Sequence, residues 1–353
     1  MSGVEIGRLP ERRLKLGVAG LGKAFTVMLP SLAAEPRIEL VAAADPRPEA
    51  TRRFAADFGA RVYASVEELC SNDGVEVIYV ATPHQYHAEH VATAAAHRKH
   101  VLLEKPMAVS LAECDRIIDA VERTGIVLVV GHSHGFDRPI LRTHEIIAGG
   151  TVGAARMINA QYYTDFLYRP RRPEELVTAE GGGVVFSQGA HQVDIVRLLG
   201  GGKVASVRAL TGAWDSARPT EGAYVALLNF ADGAFGSILY SGYAHFDGDE
   251  FCAGIGELGR EKLADWYGSA RRSLERAATA AEEEALKQRR NYGGDDYRPT
   301  SAPSAAGAWY EHFGLVVVSC DDADLRPLPN GVMIYGDKEA RFEPLSQPRV
   351  PRA

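Results

Sequence analysis

The chain has 353 residues, long for one hydrophobic core, and its 46% hydrophobic and 24% charged residues are the balance of a folded globular protein. A net charge of -7 argues against a nucleic-acid backbone or an anionic membrane as main partner, and no apolar run approaches the length of a membrane span. Cys70, Cys114, Cys252 and Cys320 stand far apart without a Cys-x-x-Cys, which predicts free thiols in a reducing compartment. Met1 to Arg13 is charged and has no apolar centre, so no secretory signal and a cytoplasmic location are expected.

Leu14, Leu16 and Val18 alternate with Lys15 and Gly17 and predict a strand running into Gly20-Leu21-Gly22. Lys23 and Ala24 open a helical pattern with Met28, Leu29 and Leu32 on one side. Glycines at such a turn let the backbone approach a pyrophosphate lying on the helix N-terminus, which makes Gly20, Gly22, Lys23 and Ala24 candidate cofactor-binding residues. Phe25 holds the third fingerprint position, where Gly or Ala normally permits close helix–strand packing. Any tight turn can show Gly-x-Gly, so context decides. The next apolar run, Ile38 to Ala44, ends in Asp45, the acidic residue expected to accept hydrogen bonds from a ribose diol. It would repel a 2′-phosphate, which favours NAD, whereas nearby Arg47 keeps NADP as second choice.

The alternation continues. Ser65 to Glu68 and Ser110 to Glu113 have capping-box form and open helices, the second with Leu111, Cys114, Ile117, Ile118 and Val121 on one face and Gly125 as its stop. Val75 to Ala81 is a buried strand ending in Thr82-Pro83, Ala88 to Ala96 is helical, and Val101 to Leu103 is a strand closed by Glu104-Lys105-Pro106. Lys105 thus stands at the carboxyl end of a strand, where open α/β sheets bind ligands. With Ile126 to Val130 this makes a doubly wound parallel sheet. His84, His87, His132 and His134 follow strands on the same rim, but no carboxylate or cysteine spacing supports a metal, so none is predicted.

After a connecting helix, Pro139 to Ala148, the rhythm changes. Ala155 to Tyr163 is a strand, Arg169 to Pro173 a basic loop, and Gly181-Gly182-Gly183 leads into a helix bearing His191 and Asp194 at i and i+3. A histidine beside a carboxylate is the usual general base and its orienter; a satisfied histidine at a helix start would look the same. Strands follow at Val204 to Trp214, Ala223 to Phe230, Ala234 to Tyr240, Phe313 to Ser319 and Val332 to Tyr335, with Asp232-Gly233 as a hairpin turn. They predict a mostly antiparallel open sheet, while Leu258 to Tyr310, helical over Ala270 to Arg290 and then rich in Gly, Pro and Ser, interrupts it without evident chemistry. The expected organisation is a nucleotide-binding domain over 1–138 and an α+β substrate and assembly domain over 139–353, with the insertion at about 258–310.

Together Gly20-Leu21-Gly22, Thr82-Pro83 with His87, Glu104-Lys105-Pro106 and Gly181 through Asp194 resemble the Gfo/Idh/MocA family of nicotinamide-dependent oxidoreductases. The resemblance implies a Rossmann domain followed by a domain with a large open sheet used for homodimers or homotetramers, NAD contacts from Thr82, Pro83, His87, Glu104 and Lys105, and acid–base work by Lys105 and His191. More narrowly, Tyr163 to Pro170, Phe186 to His191 and Ser241 to Phe246 are similar to the phthalate 4,5-cis-dihydrodiol dehydrogenase branch, which implies oxidation of a cis-dihydrodiol with substrate contacts from Tyr163, Arg169, Ser187 and His191. Other activities on this scaffold are sugar or inositol-type polyol oxidation, and dinucleotide sensing without catalysis. Ser187 stands where many members carry a catalytic Asp, and the chain ends at Ala353, where members usually continue into further helices.

Overall fold

The computed structural model describes residues 12–262, 265–298 and 309–348, and among these the chain forms two compact units. The first comprises 12–131 together with 288–298; the second comprises the rest.

The first unit is built on a six-stranded parallel sheet of order β3-β2-β1-β4-β5-β6, the Rossmann order. Its strands are β1 (Leu14–Ala19), β2 (Ile38–Ala44), β3 (Arg61–Tyr63), β4 (Val77–Val80), β5 (His100–Glu104) and β6 (Leu128–Gly131). The helices α1 (Lys23–Ala34), α2 (Pro48–Phe58), α3 (Val66–Cys70), α4 (His87–Ala96) and α5 (Leu111–Thr124) alternate with them. Each sheet face is apolar because helices cover both, so central strands such as Val77–Val80 are buried throughout. The serine half of each expected capping box forms: Ser65 Oγ and Ser110 Oγ accept the amides of Glu68 and Glu113, whose carboxylates reach past the N-cap to the amides of Ala64 and Val109. The face predicted for α5 is only partly the buried one. Ile117 and Ala120 point into the core, whereas Leu111 and Ile118 are exposed.

The interrupting segment contributes to this unit. Tyr292 is fully buried between Phe25 and Phe54, with ring centroids 5.1 and 6.3 Å away, and its hydroxyl donates to Asp57 at 2.8 Å. That contact explains the departure at Phe25, whose ring faces α2 and this return segment and fills space with aromatic packing.

The second unit contains α6 (Arg138–Ala148) and α7 (Ala190–Gly200) against one face of an eight-stranded sheet of order β16-β15-β14-β13-β7-β10-β9-β8. In chain order these are β7 (Ala155–Tyr163), β8 (Val204–Gly212), β9 (Ala223–Phe230), β10 (Phe235–Ser241), β13 (Leu315–Cys320), β14 (Ala323–Leu328), β15 (Gly331–Gly336) and β16 (Ala340–Pro344); β11 (Ile255–Gly256) and β12 (Arg260–Glu261) form a separate ribbon. Every pairing in the large sheet is antiparallel except β7 with β10. Strand β14, with Asp324, Arg326 and Pro327, and the exposed β16 lack the alternating signal and were not expected from the sequence. The helix expected over Ala270 to Arg290 is two helices, α8 (Ser269–Leu274) and α9 (Ala280–Arg289). One face of β8–β10 is apolar and exposed: Leu210 pairs with Val225, and Leu227 and Phe235 share that side.

Candidate active site

In the first unit the turn after β1 is shaped by two glycines with different physical reasons. Gly20 has φ +94°, and a Cβ there would lie 2.8 Å from the carbonyl oxygen of Ala81 at the end of β4. Gly22 has an ordinary φ of -77°, and a Cβ there would meet nothing within 4 Å. Protein packing therefore does not require Gly22 to be glycine. Gly22 is the N-cap of α1, with no side-chain cap and no acidic residue in the first turn.

Asp45 sits at the tip of β2 as expected, but its carboxylate is already engaged. It accepts the amide of Leu21 at 2.7 Å, the amide of Arg47 at 2.9 Å and Arg47 Nε at 3.0 Å. Arg47 also donates to the carbonyl of Leu21 at 2.8 Å and to that of Tyr292 at 3.4 Å. The acid and the guanidinium thus latch the glycine turn and neutralise each other.

The opposite side of the rim is braced by His87. Its Nδ1 lies 2.9 Å from the carbonyl of Pro106 and its Nε2 3.0 Å from that of Thr82, and the ring is fully buried. His87 was expected to touch the cofactor; both ring nitrogens instead tie the Thr82-Pro83 loop to the Lys105-Pro106 loop. Burial pushes its pKa down, while the two carbonyls oppose that shift. Thr82 Oγ1 pairs with His90 Nδ1 at 2.9 Å, and Pro83 caps the short turn His84–Tyr86. Glu104, the last residue of β5, accepts the buried Tyr79 hydroxyl of β4 at 2.5 Å, which fixes the strand end that delivers Lys105; the Lys105–Pro106 peptide is cis.

In the second unit His191 lies in the first turn of α7, directly after a π-helical turn, Val185–Gly189, a type of irregularity frequent at functional sites. Its ring is buried against His134 and Phe313, with centroids 4.7 and 4.9 Å away. Asp194 was expected to orient His191. Its carboxylate instead packs on the backbone of Gly135 and takes Arg197 at 3.2 Å, and the ring seated on His191 is that of His134. His134 Nδ1 is 2.7 Å from Asp137 Oδ2, and Nε2 is 3.8 Å from Glu257 Oε1. Burial opposes a charge on His134, but Asp137, Glu257 and Glu311 outweigh it and push the pKa up to about 9. His134, Asp137 and Glu311 bring ligand-type atoms within 4.8 Å of one another. The 2.7 Å separation of His134 and Asp137 is a hydrogen bond. The sequence did not single out this His134 cluster, although Asp137 stands only three residues after His134; Glu257 and Glu311 come from distant loops.

Ser187 Oγ donates to the carbonyl of Gly183 within its own turn. Tyr163 ends β7 with its ring 5.7 Å from Phe246. Arg169 lies over Phe166, loosely paired with Asp165 at 3.3 Å and Glu257 at 3.7 Å. Its neighbours are structural. Arg171 stacks 3.6 Å above Phe166 and donates to that residue's carbonyl, while Arg172 pairs with Glu174 at 3.0 Å. Helix α9 is stapled to the same loop: Glu283 accepts the Arg171 amide and the Arg218 guanidinium, and Lys287 pairs with Glu175.

These features place the chain in a class: a dinucleotide-binding Rossmann unit joined to a mixed-sheet unit bearing a buried histidine site. Residues 14–132 match the oxidoreductase family, NAD-binding Rossmann fold, and residues 140–260 match the GFO/IDH/MocA C-terminal domain. The chain is 45% identical over 340 residues, 96% of its length and 85% of the relative's, to 1-carboxy-3-chloro-3,4-dihydroxycyclohexa-1,5-diene dehydrogenase of Comamonas testosteroni. It is 27% identical over 259 residues, 70% of this chain and 74% of the relative, to myo-inositol 2-dehydrogenase of Thermotoga maritima. Among solved structures, a protein from Bordetella bronchiseptica RB50 assigned as a dehydrogenase superposes with TM-score 0.88 at 41% identity, covering 96% of this chain and 87% of that one. GenD2 from gentamicin A biosynthesis, in complex with NAD, superposes with TM-score 0.61 at 30% identity, covering 66% and 67%. The chain belongs to the Gfo/Idh/MocA family and is an NAD-binding oxidoreductase. Among the described residues no helix is long and apolar enough to cross a membrane.

Proposed function

We propose that this enzyme oxidises a carboxylated cis-dihydrodiol of a cyclohexadiene, passing hydride to NAD. The observation that carries the reading is the match along 96% of the chain to a dehydrogenase of a carboxylated dihydroxycyclohexadiene. In this reading the pyrophosphate lies on the amides after Gly22, and Thr82 and Pro83 support the nicotinamide side. NAD is favoured over NADP because Asp45 neutralises Arg47, which leaves no uncompensated cation for a 2′-phosphate. Lys105 hydrogen-bonds the reacting oxygen and stabilises its developing negative charge. His191 takes the hydroxyl proton while the carbinol hydride leaves for the nicotinamide. The ketone so formed then enolises, its ring carbon losing a proton while the carbonyl oxygen gains one, which restores the aromatic system and drives the reaction forward.

Arg169 is the carboxylate anchor in this reading. Its side chain is 36% exposed against 10% for Arg171, its own acidic partners are loose, and Glu257 links it to His134 beside His191. The exposed apolar face of β8–β10 serves as the contact of a homodimer or homotetramer.

The test is reduction of NAD and NADP across carboxylated dihydrodiols, inositols and sugars, with Lys105→Ala alongside wild type. Turnover on carboxylated dihydrodiols, falling about 100-fold or more in Lys105→Ala with little change in NADH affinity, is expected. Activity confined to polyols would establish the inositol-type reading, and tight dinucleotide binding without turnover on any alcohol would establish a sensor.

A further inference from the structure

We propose that His134 is a positioning residue for His191, orienting its ring and setting the pH at which it gains a proton. The inference rests on the reading of His191 as the base and goes beyond it by assigning a role to a side chain outside the family motifs discussed above.

Three observations carry it. First, the two rings meet edge to face, with centroids 4.7 Å apart and planes at 78°, and Phe313 touches both, at 4.9 Å from each. His191 is therefore held between two rings rather than by its helix neighbour Asp194. Second, His134 is itself fixed: it is 1% exposed and its Nδ1 is held by Asp137 at 2.7 Å. Third, the charge that reaches His191 from this side is defined. Asp137, Glu257 and Glu311 surround His134, and the cations among them are the imidazolium and the guanidinium of Arg169, 3.7 Å from Glu257. From α7 the facing acid is Asp194, paired with Arg197. The buried face of α6 toward α7 is Pro139, Ile140, Thr143 and Ile146, without charge. From β7 and β10, Tyr162 and Tyr240 lie 5.3 and 6.0 Å from Phe313, and burial pushes both phenols up so that they stay neutral. The π-helical turn adds the neutral Ser187 and Gln188.

The sign follows. A positive charge beside an imidazole makes its protonation harder, so His191 remains a neutral base to lower pH than the three carboxylates alone would allow. Removing the His134 charge makes the charge around His191 more negative, with Arg169 still beside Glu257, and His191 then protonates at higher pH.

The experiment measures kcat/KM against pH, with the dihydrodiol and NAD of the assay above, for wild type, His134→Gln, His134→Phe, Phe313→Leu and His191→Asn. His134→Phe keeps a ring against His191 and removes the charge, and it fills the site if the glutamine variant does not fold. The expected result is an acid limb displaced upward by about one pH unit in the His134 variants. The fall in kcat should be larger for glutamine than for phenylalanine, and Phe313→Leu should lower kcat without moving the limb. An acid limb at the wild-type position in the His134 variants, with His191→Asn inactive, overturns this proposal alone. A His191→Asn enzyme that keeps turnover and its acid limb overturns the assignment of the base.

Discussion

Tyr292 tests whether the return segment is part of the dinucleotide-binding unit or an ornament on it. The side chain is fully buried and makes ring contacts with Phe25, Phe54 and Tyr297. A buried tyrosine removes about 200 Å² from water, which at about 25 cal/mol/Å² is worth about 5 kcal/mol as an upper bound. Truncation of large buried aromatics commonly costs about 3–5 kcal/mol. Tyr292→Ala should therefore destabilise the first unit by about 4 kcal/mol. Tyr292→Phe keeps the rings and loses the bond to Asp57, whose carboxylate also holds Arg53, so its cost is about 1 kcal/mol. The readout must be local, because a two-unit chain has no single unfolding free energy. All three tryptophans, Trp214, Trp266 and Trp309, lie in the second unit, so their fluorescence reports on that unit alone. Peptide-resolved hydrogen exchange is the appropriate assay. Peptides from β1, α1, β2 and α2 should lose protection in Tyr292→Ala while those from β7 to β16 keep theirs. A loss below about 1 kcal/mol in the first unit, or one confined to the second, would refute the reasoning.

The two glycines of the turn should separate. Gly20→Ala places a Cβ against the Ala81 carbonyl at positive φ and should lower both stability and dinucleotide affinity, whereas Gly22→Ala should leave stability unchanged and weaken NADH binding about tenfold or more, read by thermal shift and by NADH fluorescence titration. Equal NADH affinity in Gly22→Ala and wild type would show that no ligand approaches there. For the staple of α9, burial opposes ionisation of Glu175, but Lys287, Arg171 and Arg172 outweigh it and hold its pKa down at about 2. A depressed acid stabilises the fold above its unfolded pKa, here 4.5, and that contribution, about 3 kcal/mol, is lost as pH falls through about 2. Glu175→Gln should cost about 3 kcal/mol near neutral pH and flatten the acid side of the stability profile; an unchanged profile by urea titration of the tryptophan signal would exclude the staple.

Periodicity and capping in the chain indicated the core of the first sheet, because its central strands are buried on both faces, whereas the short, exposed β3 carries no such signal. Local grammar was enough to place Gly20, Asp45 and Lys105 at the ends of β1, β2 and β5 and Ser65 and Ser110 at helix starts, since each needs only neighbours within a few residues or one βαβ unit. The same local grammar assigned Asp194 to His191, since i and i+3 share a helix face. Tertiary packing decided otherwise, seating His134 on His191 and sending the Asp194 carboxylate to Gly135 and Arg197. It likewise gave Tyr292 a place among Phe25 and Phe54, 267 and 238 positions away in the chain. It also engaged both oxygens of Asp45 in the glycine turn and turned His87 into a brace. These are long-range pairings. A residue's own surroundings in the chain carry no record of which distant loop will supply its partner, so burial and charge balance at the histidine cluster were set only when Glu257 and Glu311 joined the neighbouring Asp137 at one ring.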